Sequence, residues 1–393
     1  MMNKLSFAKG INNYILHKII FISFPIIVIY FSSSSLLAED LGKLFISQGI
    51  ALWVGVIIDF GLVRNGVVGV NSRKINNLFQ VVLIQIILLI IISPILFFVI
   101  DCFYELNVFD FIFIATYGAI NSIIPRWFFQ AKMEMLSLSK VEFFCKLSAI
   151  VMLFFIELES RHYVQFVLIS ANILVLIFSI RKIYLMEYFS FTLNDFFRTF
   201  LQVLRGRKIL VSRLFGNLSL NSTVVIIGAM LLPSQVAVYM IVEKIIKLKV
   251  AILSSIGEAL YPMVIGKDDR KVYTVAIIIS CVISLTTILV SVTVTPYLSS
   301  IVFNLSDDYY ELIYIMCGSV LFYSLSTVIS LFKFVAQSDY KSELVCQIVI
   351  GVTSLLITVV LVRYYALLGA AYAYMLSSII SFFIIYVYYK CKK

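Results

Sequence analysis

Residues Val81 to Ile100 read VVLIQIILLIIISPILFFVI, twenty consecutive positions without a charge, seventeen of them Val, Ile, Leu or Phe. As a helix such a run covers about 30 Å, the thickness of a hydrocarbon core. At roughly −0.3 to −0.6 kcal/mol per apolar residue near the helix centre, its insertion is favoured by roughly 5–10 kcal/mol. Lipid offers no partner for backbone polar groups, so the run must be a helix or part of a closed barrel. A barrel strand alternates apolar and polar residues over about ten positions. This run does not alternate, and the helix remains.

The rest of the chain is built the same way. Of its 393 residues 62% are hydrophobic and 13% charged, against about 45–50% and about 25% in soluble domains; mean hydropathy is +1.05. These values exclude a soluble enzyme, a disordered chain and a disulfide scaffold. Apolar segments lie at 19–37, 41–62, 78–100, 108–125, 141–157 and 163–180, then at 209–232, 236–263, 272–296, 309–336, 343–362 and 366–389. The expected fold class is an all-α integral membrane protein of about twelve transmembrane helices in two six-helix lobes. The lobes are 1–180 and 209–393. The linker 181–208 carries Leu193, Phe196, Phe197, Phe200, Leu201 and Leu204 on one helical face, the pattern of an amphipathic cytoplasmic helix lying along the membrane surface.

Charge orients the spans. With the N-terminus in the cytoplasm, 28 of the 31 Lys and Arg fall in cytoplasmic loops or helices near them, four of these 28 (Lys244, Lys247, Lys249 and Lys333) inside apolar segments, and only Lys43, Arg161 and Arg363 lie outside. The positive-inside rule therefore puts both termini in the cytoplasm. The net charge of +10 then reflects a membrane orientation and no nucleic-acid partner. The first apolar segment is expected to stay as an uncleaved helix, because Leu36 is a poor residue at the minus-three position of a cleavage site.

No catalytic constellation emerges. The six cysteines contain no CxxC pair, and His17 and His162 are far apart, so neither a metal site nor a cofactor is expected. A phosphate-binding glycine loop is missing: Gly266-Lys267 is followed by Asp268, and Gly42-Lys43 by Leu44. The outer acidic pair Asp307-Asp308 reads as a solvated turn, and the chain is not expected to be an enzyme.

The informative segment is the eighth span, which carries Glu243, Lys244, Lys247, Lys249 and Glu258. At 1.5 Å per residue Lys244 and Lys247 lie roughly 12 and 17 Å deep, near the bilayer midplane. Each charge facing lipid would cost roughly 2.5–3.5 kcal/mol, so these side chains must face protein or water. Glu243 and Lys247 are four apart and can pair, which leaves a cationic surplus from Lys244 and Lys249. One reading is a structural ion-pair network; the other is a cationic lumen for an anionic head group. Asp59 and Arg64 near the end of span two, Arg126 closing span four and Arg213 opening span seven would collectively leave a positive vestibule, although for most of these positions snorkelling near the interface is explanation enough. Pro25 in the first span is a candidate hinge.

Four elements carry a resemblance: Ile124-Pro125-Arg126-Trp127-Phe128-Phe129-Gln130-Ala131, Asp59-Phe60-Gly61-Leu62, the stretch from Val236 and Tyr239 through Glu243-Lys244 to Tyr261-Pro262, and Leu368-Gly369-Ala370-Ala371. In this order they resemble the Wzx-type O-antigen flippases, in the polysaccharide-exporter branch of the multidrug/oligosaccharidyl-lipid/polysaccharide (MOP) superfamily. The resemblance implies a V-shaped transporter of two lobes in the bacterial inner membrane. It would move undecaprenyl-pyrophosphate-linked O-antigen or similar repeat units from the cytoplasmic to the periplasmic leaflet by alternating access, coupled to an ion gradient or the membrane potential. Lys244, Lys247, Lys249, Arg64, Arg126 and Arg213 would then bind substrate, with Asp59 and Glu243 as coupling or ion-pair groups. The implied partners are the lipid-linked oligosaccharide, the bilayer, and a polysaccharide polymerase with its chain-length regulator. The alternatives are an ion-coupled drug or small-molecule exporter of the same superfamily and a non-transporting scaffold of a polysaccharide assembly complex.

Overall fold

The computed structural model describes residues 23–62, 66, 70, 78–132, 134–155, 160–184, 193–204, 207–260, 270–303, 309–337 and 339–392. A helix lies in each of the twelve apolar segments. The first half contains α1 (Ser23–Ser35), α2 (Ala38–Asp59), α3 (Leu78–Phe103), α4 (Val108–Ile123), the short α5 (Arg126–Ala131), α6 (Met135–Phe155) and α7 (Arg161–Tyr184). The amphipathic stretch forms α8 (Leu193–Leu204). Then come α9 (Arg207–Met230), α10 (Pro233–Leu260), α11 (Arg270–Phe303), α12 (Tyr310–Cys317), α13 (Ser319–Ser330) and α14 (Tyr340–Cys391). Arg64, Asp307 and Asp308 lie outside the described residues.

The helices are apolar on the wrong side for water. On α3, Ile90, Ile91, Ile95 and Phe98 are each at least 60% exposed, while Gln80 and Gln85 are buried and the Gln85 amide donates to the Ser122 carbonyl (3.2 Å). Polar groups inside and bulky apolar groups outside is the arrangement lipid selects. The protein is an all-α integral membrane protein. Backbones approach closely where side chains vanish: a Cβ on Gly118 would fall 2.6 Å from the Ala51 carbonyl oxygen, so α4 lies against α2 at that point.

The chain divides into two compact units, Met1–Phe24 with Ile46–Leu214, and Pro25–Phe45 with Phe215–Lys393. The first is centred on Trp127, Phe128 and Phe129 of α5, packed with Leu78, Val81, Leu138 and Val175. At its N-terminal end α4 is capped by Asn107, whose side chain accepts from the Asp110 amide. The buried Asp110 carboxylate accepts from Arg161 Nη2 (2.9 Å) and Gln165 Nε2 (2.7 Å), which locks α4 to α7. The second unit packs Phe332 with Val328 and Ala276, and Phe334 with Ile329, Ile350 and Ile385.

Two details refine the sequence reading. The tenth span is not one regular helix: after α12 and α13 it closes in a π-helical turn at Leu331–Val335, where the Ala336 amide donates to the Leu331 carbonyl. The end of α5 has a similar long-range closure, with the Glu134 amide on the Phe129 carbonyl, matching that of Asp339 on Phe334. The stretches Phe128-Phe129-Gln130 and Phe334-Val335-Ala336-Gln337 thus end in the same backbone device. The eleventh and twelfth spans are the two arms of α14, which meet at Ala366 in a left-handed conformation (φ 46°).

Candidate functional site

The cations of the eighth span sit on α10. Glu243 is fully buried, and the Lys247 ammonium is 3.1 Å from its Oε1, the i,i+4 pairing its spacing allows. Among the described residues neither carboxylate oxygen receives an aligned hydrogen bond, so the Lys247 contact is an ion pair. Around this carboxylate lie the buried Tyr239 of the same helix, Tyr323 of α13 and Tyr374 of α14, close enough to interact with it electrostatically. The Tyr323 and Tyr374 rings are 5.4 Å apart. Lys244 points its ammonium over the ring of Phe45, 5.2 Å from the centroid, a cation–π contact that holds the charge in an apolar setting. Lys249 donates to Thr295 Oγ1 of α11 at 2.7 Å. A carboxylate, three phenols and three ammonium groups are thereby gathered along α10 within the second unit.

The first unit contains two further clusters. Asp59, at the end of α2, pairs with Arg213 of α9. The next two residues reverse the chain with positive φ, Phe60 at 48° and Gly61 at 79°, which ends the helix and leaves the Asp59 carboxylate beside Arg213. Arg126 is held on every arm of its fork: Nε donates to Glu142 Oε1 (3.1 Å), Nη1 to the Asn121 carbonyl (2.8 Å) and Nη2 to Asn121 Oδ1 (3.2 Å). Lys146 completes the cluster on Glu142 Oε2 at 2.9 Å, with its ammonium over Phe24.

The residues singled out in sequence therefore fall into separate groups: Glu243, Lys244, Lys247 and Lys249 in the second unit, Asp59 with Arg213 and Arg126 with Glu142 in the first. Pro25 lies in the first turn of the described part of α1 and is partly buried. Tyr323 and Tyr374 escaped sequence reading, and Tyr239 entered it only within the resemblance. Their signal was position: Tyr323 lies in the middle of an apolar span, whereas membrane tyrosines usually sit at interfaces.

No protein-family model matches the sequence, and no curated protein matches it. Solved structures match over nearly the whole chain. The lipid II flippase MurJ, in an inward closed conformation, has a TM-score of 0.72 at 12% identity over 95% of this chain and 87% of that one. The chain has the fold of MOP-superfamily transporters. The MATE multidrug transporter DinF-BH matches with a TM-score of 0.70 at 14% identity, covering 98% of this chain and 95% of that one. A Vibrio cholerae MATE transporter gives 0.67 at 13% identity over 100% and 98%.

Proposed function

We propose that this protein is a flippase for an anionic lipid-linked oligosaccharide, such as an undecaprenyl-pyrophosphate-linked O-antigen or related surface-polysaccharide repeat unit. The observation that carries the reading is the charge of α10. Between positions 243 and 249 three lysines stand against one glutamate, in a helix otherwise largely apolar that the fold shared with membrane transporters suggests is a span. Keeping such a surplus near midplane costs several kcal/mol unless an anion or water is there to receive it. A pyrophosphate supplies that anion, and the lipid tail can remain in the bilayer while the polar head crosses. The fold shared with a lipid II flippase fits this chemistry. Arg126 and Arg213, already bound to carboxylates, serve chiefly to hold the first unit together and to keep it positive; Lys244, Lys247 and Lys249 are the substrate-facing candidates.

A second reading, ion-coupled export of a small molecule, draws on the buried Glu243 carboxylate and its three tyrosines, an acidic and aromatic setting suited to a cation. The two diverge in cells lacking the gene. A flippase leaves undecaprenyl-pyrophosphate-linked single repeats accumulated by mass spectrometry, with none reaching the surface. Unchanged lipid intermediates and unchanged surface polymer, in a strain without a redundant flippase, would overturn the flippase reading and favour the exporter.

A further inference from the structure

Helix α8 carries more apolar surface than the protein covers. Thr199, Gln202 and Val203 are buried, Thr199 donating to Gln80 Oε1 at 2.7 Å, and Phe196 and Phe200 pack against the first unit's core. Beside this face, Phe197, Leu201 and Leu204 recur at i, i+4 and i+7 and are 63%, 59% and 38% exposed. Leu201 and Leu204 wall a cleft of about 440 Å³ whose other described lining residues are Arg207 and Lys208, at the start of α9. Both are exposed, as is Arg198, the neighbour of Phe197.

We propose that this cleft is a binding site for an anionic phospholipid, its phosphate held by Arg207 and Lys208, and its acyl chain laid over Phe197, Leu201 and Leu204. The occupant follows from the order of the chemistry. A free anion would leave three large apolar side chains in water, and an apolar helix would leave the cations unused. Only an amphiphile with a negative head meets both halves. The position agrees: α7 ends in Arg181 and Lys182, and α9 begins at Arg207, so α8 lies at the level where two spans leave the bilayer. On the positive-inside pattern that is the cytoplasmic leaflet. The site is independent of what the protein transports, and it makes the protein responsive to leaflet composition.

Purified full-length protein in detergent, titrated with phosphatidylglycerol or phosphatidylcholine and read by native mass spectrometry, should retain phosphatidylglycerol preferentially. Each cation near an anionic lipid is worth about fivefold. Arg207→Gln with Lys208→Gln should therefore weaken phosphatidylglycerol retention by roughly 25-fold and leave phosphatidylcholine unchanged. Equal retention of the two lipids, or unchanged retention in the double variant, overturns the proposal; so does displacement of the lipid by inorganic phosphate, which would make the cleft a free-anion site. Should the double variant fail to fold, Phe197→Trp in nanodiscs provides a second reading. Its fluorescence, above the background of Trp53 and Trp127, should be quenched more by brominated phosphatidylglycerol than by brominated phosphatidylcholine, and equal quenching sinks the idea.

Discussion

The ammonium of Lys247 stands 3.1 Å from Oε1 of Glu243, one helical turn along α10, and the carboxylate has no exposed surface while the lysine keeps 28% of its side chain accessible. The two charges are unequally dependent on each other. Lys247 has accessible surface; Glu243 has none. Lys247→Ala therefore strands a buried carboxylate and should destabilise the purified protein by roughly 3 kcal/mol, near the lower end for breaking a buried pair. Glu243→Ala with Lys247→Ala should recover most of that loss. Thermal unfolding in detergent of the two single variants and the double variant checks it, and an additive result would mean the pair is not coupled.

Transport separates from stability at the lysines. Lys244→Ala with Lys247→Ala should abolish surface polysaccharide per inserted molecule, beyond the fall in protein level that the stranded Glu243 carboxylate causes, because what is lost is positive charge for the head group. Membrane fractionation and surface-polymer analysis are the readouts. Normal export in the double variant would refute the assignment of these cations to substrate and fit a scaffold, which has no need of midplane charge.

Arg126 should behave differently. Its three donor contacts to Glu142 and Asn121 use the planar fork of a guanidinium. Lysine keeps the charge but cannot make all three. Arg126→Lys should cost about 2 kcal/mol by leaving Asn121 and the buried Glu142 incompletely satisfied, and export should fall only in step with protein abundance. A drop in export per inserted molecule would instead place Arg126 on the transport path.

The spans were legible because lipid makes a strict demand: every long apolar run must hydrogen-bond to itself. Val81–Ile100 could be little else, and α3 runs through it. The i,i+4 pair of Glu243 and Lys247 was equally readable, since a helix fixes which residues four apart can meet. What could not be read was the assembly of distant residues. Nothing local ties Asp59 to Arg213, 154 positions on, or Tyr374 to Glu243. The π-helical turn at Leu331–Val335 was hidden for another reason: it changes hydrogen-bond partners without changing composition.

Asp339 offers a pH test outside the spans. It caps α14, its side chain accepting from the Ser342 amide (3.3 Å) and hydroxyl (2.6 Å), and it pairs with Lys392. Burial works to raise the carboxyl, but the hydrogen bonds from Lys392 and Ser342 outweigh it and hold the group below the ordinary carboxylate range. A depressed folded-state value contributes stability that is present above the unfolded carboxylate pKa, about 3.9, and is lost as pH falls through the folded value. Because Lys392 is more than half exposed, the ion pair is worth under about 1 kcal/mol. Amide protection in the first turn of α14, measured as exchange relative to the intrinsic rate at each pH, should fall on acidification in the wild type. Asp339→Asn keeps a capping side chain and should flatten that dependence; an unchanged pH profile would show that the carboxylate does not hold this turn.

Leu361 and Gly369 are eight residues apart, about 12 Å along a straight helix, yet a Cβ built on Gly369 would fall 2.0 Å from the Leu361 carbonyl oxygen. The chain has folded back at Ala366, and the reversal closes only where one residue has no side chain. This gives the Leu368-Gly369-Ala370-Ala371 motif its physical content: a glycine at the contact, followed by two alanines with no exposed surface. The atom in the way is backbone, so no rotamer change relieves it. Gly369→Ala should force the two arms of α14 apart and reduce the amount of inserted, monodisperse protein several-fold, whereas Ala370→Gly should cost no more than about 1 kcal/mol, the helix-propensity penalty. Size-exclusion profiles of the two variants decide it: a monodisperse Gly369→Ala protein at wild-type yield would mean the arms pack less closely than this geometry requires.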